Sequence, residues 1–117
     1  MNTLGDLERS IMETLWNSVE PLSATELQSR LSAVGSGREL AQTTILTVLS
    51  RLEKKGFVAS LRDRRPRLFR ADRSREDHTA DLMLEVLGGA GDRDAALARF
   101  VDTVSSREAD TLRRLLG

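Results

Sequence analysis

Ala41-Gln42-Thr43-Thr44-Ile45-Leu46-Thr47-Val48-Leu49-Ser50-Arg51-Leu52-Glu53-Lys54-Lys55-Gly56 is the segment from which the fold can be read. At about 100° per residue, Ala41, Ile45, Val48, Leu49 and Leu52 share one face. Thr43, Thr47, Ser50, Arg51 and Lys54 occupy the opposite one, with Thr44 at its edge and Glu53 to the side. The spacing predicts an amphipathic helix over residues 41–55. Lys54 and Lys55 suit the negative end of its dipole, and Gly56 suits a left-handed cap. The outer face carries hydroxyls and cations and no carboxylate. A merely solvated helix ordinarily mixes Glu with Lys. This face instead suits a DNA major groove, where Thr and Ser reach phosphates, bases or thymine methyls and Arg forks onto guanine. The alternative is a polar outer face with a chance shortage of acids.

Upstream, Leu4, Leu7, Ile11 and Leu15 recur at helical spacing, which predicts a first helix from Gly5 to Asn17; Trp16, beside the stripe, reads as a core residue, with a ligand platform as the alternative. Glu20-Pro21-Leu22 reads as an extended connector, because the residue before proline avoids the helical region. Ser23 and Glu26 form a capping box for a second helix that ends near Leu31, with Leu27 and Leu31 facing inward. Residues 32–38, with Gly35 and Gly37, read as a loop.

Downstream, Phe57-Val58-Ala59-Ser60-Leu61 and Leu68-Phe69-Arg70-Ala71 flank a polar turn and read as a β-hairpin. Pro66 belongs at the turn or on an unpaired edge. Arg62, Arg64, Arg65 and Arg67 crowd this turn, opposed only by Asp63. Such a cluster suits a polyanion, through phosphate contacts or entry into a minor groove; an exposed basic loop without a role is the alternative. Helix, helix, helix, hairpin is the order of a winged helix-turn-helix. The expected fold is therefore mainly α with a small β-hairpin wing, comprising a DNA-binding domain over residues 1–73 and a helical region over residues 74–117.

The zero net charge conceals an uneven distribution. Residues 1–37 carry two Arg against five acids, residues 38–73 ten Lys or Arg against four acids, and residues 74–117 six Arg against nine acids. A basic middle between acidic ends suits one surface that faces a polyanion, and on charge alone it suits a solvated, salt-bridged surface equally well. The chain has no cysteine, which removes disulfides and thiolate metal sites. There is no apolar run long enough for a membrane span and no basic-then-apolar leader, so a cytoplasmic location is expected. No phosphate-binding Gly loop, nucleophile–base pair or metal spacing is present, so neither an enzyme nor a metal or organic cofactor is expected. His78, beside Asp77 and Asp81, reads as a surface histidine.

Residues 74–117 read as three helices: one capped by Ser74 and ending at Gly88-Gly89, one over residues 92–104, and one capped by Ser105 or Ser106 and running to Leu116. Leu82, Val86, Leu97, Phe100, Val101, Val104, Leu112 and Leu116 make their apolar faces broad. So short a segment is a poor independent core. A second copy would complete it, and a two-fold dimer would read two half-sites. Packing of these helices back onto their own winged helix, as a monomer, is the alternative.

The segment Ala41–Gly56, with Thr-Thr-x-x-Thr-x-x-x-Arg-Leu-x-x-Lys-Gly at its heart, resembles the recognition-helix signature of the penicillinase and methicillin-resistance repressors, a family that includes copper-responsive members. The resemblance takes in Leu7-Glu8 through Leu15-Trp16 and continues through the tail. It implies a dimeric winged-helix repressor of palindromic operators built on TACA and TGTA, with Thr43, Thr44, Thr47 and Arg51 at DNA. It also implies control of β-lactam-response genes, with a membrane sensor's signal leading a protease to cut the tail at an Asn–Phe bond. The corresponding bond here is Arg99–Phe100, which keeps the Phe and not the Asn. The paired cysteines of the copper branch have no counterpart. Pro66-Arg67 replaces a glycine-containing wing turn, and Phe69 stands where many members carry Tyr. The competing function is a winged helix used for protein contact without sequence-specific DNA binding. Its mark would be an apolar or acidic outer face on the third helix.

Overall fold

Six helices and three short strands follow one another in a computed structural model that describes residues 4–33, 40–63 and 65–117. They are α1 (Asp6–Trp16), β1 (Leu22–Ser23), α2 (Ala24–Ala33), α3 (Gln42–Lys54), β2 (Val58–Leu61), β3 (Leu68–Ala71), α4 (Arg75–Gly88), α5 (Arg93–Thr103) and α6 (Ser106–Leu116). Most of the loop expected over residues 32–38 lies outside the described residues; Ser32 and Ala33 still belong to α2.

Local chemistry sets the helix ends. At α1 the backbone N–H of Gly5 donates to Glu8 Oε1 at 2.9 Å. At α2 the capping box is reciprocal: Glu26 N donates to Ser23 Oγ at 3.1 Å and Ser23 N donates to Glu26 Oε1 at 3.0 Å. Each bond satisfies a donor that the first helical turn leaves without a partner. α3 ends at Lys54 with Lys55 as its C-cap, and Gly56 follows with φ +84°, the left-handed conformation that glycine adopts at least cost.

The sheet has the order β1-β3-β2 and is antiparallel throughout. β2 and β3 form the expected hairpin, with Ser60 opposite Phe69 and Leu61 opposite Leu68. Pro66 lies in the bend between them, outside the ladder. β1 was not anticipated: the connector after Pro21 is extended, and Leu22 pairs with Phe69 while Ser23 pairs with Leu68. Helices and sheet enclose one core of Ile11, Met12 and Leu15 from α1, Leu27 and Leu31 from α2, Ile45, Val48, Leu49 and Leu52 from α3, and Leu22, Phe57, Val58 and Phe69. Full burial of a large aliphatic or aromatic side chain stabilises by roughly 1.5–3 kcal/mol relative to exposure. The α3 stripe is thus what holds that helix with its other face turned outward.

The chain divides into two compact units, Met1–Asp81 and Leu82–Gly117. The division falls inside α4 rather than at its start, and side chains explain why. His78 is buried, in correction of the surface position expected for it. Its ring lies 5.2 Å from that of Phe57, edge-on, and 5.8 Å from that of Trp16. The Arg75 guanidinium lies 5.5 Å over the Trp16 ring and donates to Glu13 at 2.6 Å. Trp16 itself is half-buried against the core.

In the second unit, Asp92 caps α5 through Ala95 N at 3.1 Å. Ser105 and Glu108 form a second reciprocal capping box at α6. α5 and α6 contain no buried residue.

Candidate nucleic-acid interface

α3 is held at both ends. At its start, Gln28 Nε2 donates to the carbonyl of Leu40 at 2.7 Å, and the Gln42 amide bonds Thr25 Oγ1. At its end, Lys55 Nζ lies 3.0 Å from Glu8 Oε2 on α1, and the Glu8 side chain is only 14% exposed. Burial pushes the Glu8 carboxyl up, but the Gly5 N–H and the Lys55 ammonium outweigh it and leave the group below its usual range.

Thr43, Thr44, Thr47, Ser50, Arg51 and Lys54 are all exposed. Thr47 Oγ1 donates to the carbonyl of Thr43 at 2.9 Å, so its hydrogen is used within the helix. What Thr47 offers outward is its methyl group and its oxygen lone pairs. Gln42 and Leu46 are exposed on the same helix and were not singled out by the sequence reading; Leu46 is 42% exposed. The available signal was position: on the helical wheel Leu46 falls between Ser50 and Glu53, away from the core stripe.

Of the wing arginines, Arg62, Arg65 and Arg67 are exposed, and Arg64 lies outside the described residues. Arg62 and Arg67 converge on Glu53, at 3.6 Å and 3.3 Å from Oε1. Ser60 Oγ donates to Glu53 Oε2 at 2.8 Å and accepts from Arg62 Nε and Arg67, each at 3.2 Å. The Arg67 guanidinium carbon lies 5.1 Å over the Phe69 ring. The Ser60 hydroxyl is the main reason the Glu53 carboxyl lies below its usual range; burial opposes it, and the Arg62 and Arg67 guanidinium groups add to the lowering. Sequence reasoning placed Glu53 to the side of the helix and assigned it no role; its partners come from a strand and a turn that only the fold brings near.

In the second unit, Val86, Leu97, Phe100, Val101 and Leu116 are exposed, and Leu82, Val104 and Leu112 are half-buried. Met83, Leu84 and Leu115 add to the exposed apolar surface. The Arg99–Phe100 bond lies within α5, and both residues are exposed. Among the described residues, no cluster of three or more His, Cys, Asp or Glu could hold a metal ion, and no helix is long and apolar enough to cross a membrane.

The penicillinase repressor family model matches residues 4–117. The transcriptional regulator BlaI of Mycobacterium tuberculosis, in strains CDC 1551 / Oshkosh and ATCC 25618 / H37Rv, is 43% identical over 120 aligned positions that cover 100% of this chain and 85% of the relative. A MarR family protein from Bacillus stearothermophilus is similar in structure, with TM-score 0.49 and 21% identity over 97% of this chain and 70% of the other.

Proposed function

Because this chain belongs to the penicillinase repressor family of transcriptional regulators, we propose that it is a sequence-specific DNA-binding repressor that acts as a homodimer on palindromic operators. The observation that carries this reading is the outward face of α3, where Thr43, Thr47, Ser50, Arg51 and Lys54 are exposed and no carboxylate stands among them. In a major groove, Arg51 forks onto a guanine edge, and the methyl groups of Thr47 and Leu46 meet thymine methyls. Thr43, Thr44, Ser50 and Lys54 serve phosphates and base edges at the margins. Arg65, at the exposed tip of the wing, meets phosphate. The known regulator's name and the face's chemistry favour this over a winged helix used only for protein contact.

The second unit is the dimerisation element in this proposal. Exposed apolar side chains on α4, α5 and α6 support it, because so broad an apolar surface is rarely left in water. The proposal extends to control of β-lactam-response genes and relief of repression by a protease at Arg99–Phe100. A bond in mid-helix must unwind to enter a protease cleft, so α5 would open before the cut.

Selection of bound sites from a random duplex pool by the full-length protein tests the reading. The expected product is an inverted repeat of two half-sites. A pool that is not enriched would favour the protein-contact function instead.

A further inference from the structure

We propose that Glu53 limits binding to arbitrary DNA by holding Arg62 and Arg67 at the base of the wing, away from phosphates. The inference rests on the DNA-binding reading and adds a residue that restrains it. Glu53 is the one carboxylate in α3. Its side chain is 28% exposed, while those of Arg62 and Arg67 are 71% and 44% exposed. An isolated pair of this kind is weak. Here, however, the carboxylate is fixed by the Ser60 hydroxyl, and Ser60 Oγ also accepts from both arginines. The ring of Phe69 lies under Arg67 as well. Polar groups linked in this way reinforce one another.

For Arg67 to reach a phosphate it must leave Glu53, Ser60 and Phe69 together. Arg62 must leave Glu53 and Ser60. Either departure strips a cation from the Glu53 carboxylate just as a phosphate, of like charge, approaches. An unpaired charge set against the wrong partner is a means of discrimination. Two of the wing's cations are thereby withheld from duplex in general.

The test is Glu53→Gln in the full-length protein, bound to a short mixed-sequence duplex across a potassium chloride series. Glutamine keeps the size and an acceptor for Ser60 and removes the charge. The variant should bind this duplex more tightly at low salt. The slope of log affinity against log salt should steepen by about 0.9 for each arginine released. Adding Arg62→Gln and Arg67→Gln to Glu53→Gln should return the slope to that of the parent. A role as a mere strut between α3 and β2 predicts a lower melting temperature with no change of slope, and that result overturns the proposal. Should Glu53→Gln fail to fold, Glu53→Asp, one methylene short of Ser60, must steepen the slope in the same direction or the proposal fails. A parent protein that binds no duplex at any salt would instead remove the DNA-binding reading, and this inference with it.

Discussion

The indole Nε1 of Trp16, at the last residue of α1, donates to the carbonyl of Arg73 at 2.7 Å, across 57 positions of chain. It pins the segment leaving the sheet onto the first helix, beside the ring of His78. Trp16→Phe keeps an aromatic ring but leaves that part-buried carbonyl without its donor. The expected loss is about 1–3 kcal/mol, the cost of an unsatisfied polar group. Urea titration of the full-length protein measures it; an unchanged midpoint would show that the bond is replaced by water.

Arg51→Ala should weaken binding to the selected operator by about 1–3 kcal/mol and relax preference at one base position, as expected for a lost bidentate contact. Titration of the operator and of its single-base variants checks both effects.

Because the Thr47 hydroxyl hydrogen is used by the Thr43 carbonyl, its methyl group is the side chain's main outward feature. Thr47→Val should keep most of the operator affinity, and Thr47→Ser should lose it as Thr47→Ala does. The reverse order would assign the hydroxyl, and not the methyl, to the base.

Phe100 is 46% exposed on α5. If a second copy covers it, Phe100→Glu buries an unpaired charge in the interface. The variant should sediment as a monomer and bind a full palindrome weakly, because a linked second half-site no longer adds its effective concentration. A Phe100→Glu protein that sediments like the parent would take Phe100 out of the interface.

Glu8, Glu26 and Glu53 all ionise more readily in the folded chain than at the usual 4.5. A depressed carboxyl contributes stability that is fully present above pH 4.5 and lost as pH falls below it through the folded value. Stability should therefore decline on acidification through that window. Glu8→Gln, which also breaks the pair with Lys55, should flatten the decline and lower the plateau above it. Denaturant midpoints measured from neutral pH downward provide the check.

What could be read from the chain alone was local. Ser23 with Glu26, Ser74 before α4 and Gly56 after α3 act on neighbours three or four residues away, and each does in the fold what its spacing implied. The α3 stripe of Ile45, Val48, Leu49 and Leu52 was legible for the same reason, since one helix carries it, whereas Ala41, placed on the same face, is the exposed N-cap. β1 was not legible, because two residues have no period and their partners lie in β3. His78 was misplaced because its burial depends on Trp16 and Phe57, which belong to other elements. Glu53 was passed over on similar grounds: a charge beside a helix acquires meaning only once the hairpin folds back on it.

β3 is bonded on both sides, to β1 and to β2, and this has a consequence for how the protein is made. On the ribosome α1, α2 and α3 emerge before Phe69 exists, and Leu22 has no strand to join. The sheet therefore closes late, by a contact between distant parts of the chain, which is the slow kind of step in folding. A chain released early, short of β3, would lack both Phe69 from the core and the partner that ties the first connector. It should go to proteolysis and should not persist as a wingless reader that occupies DNA without repressing.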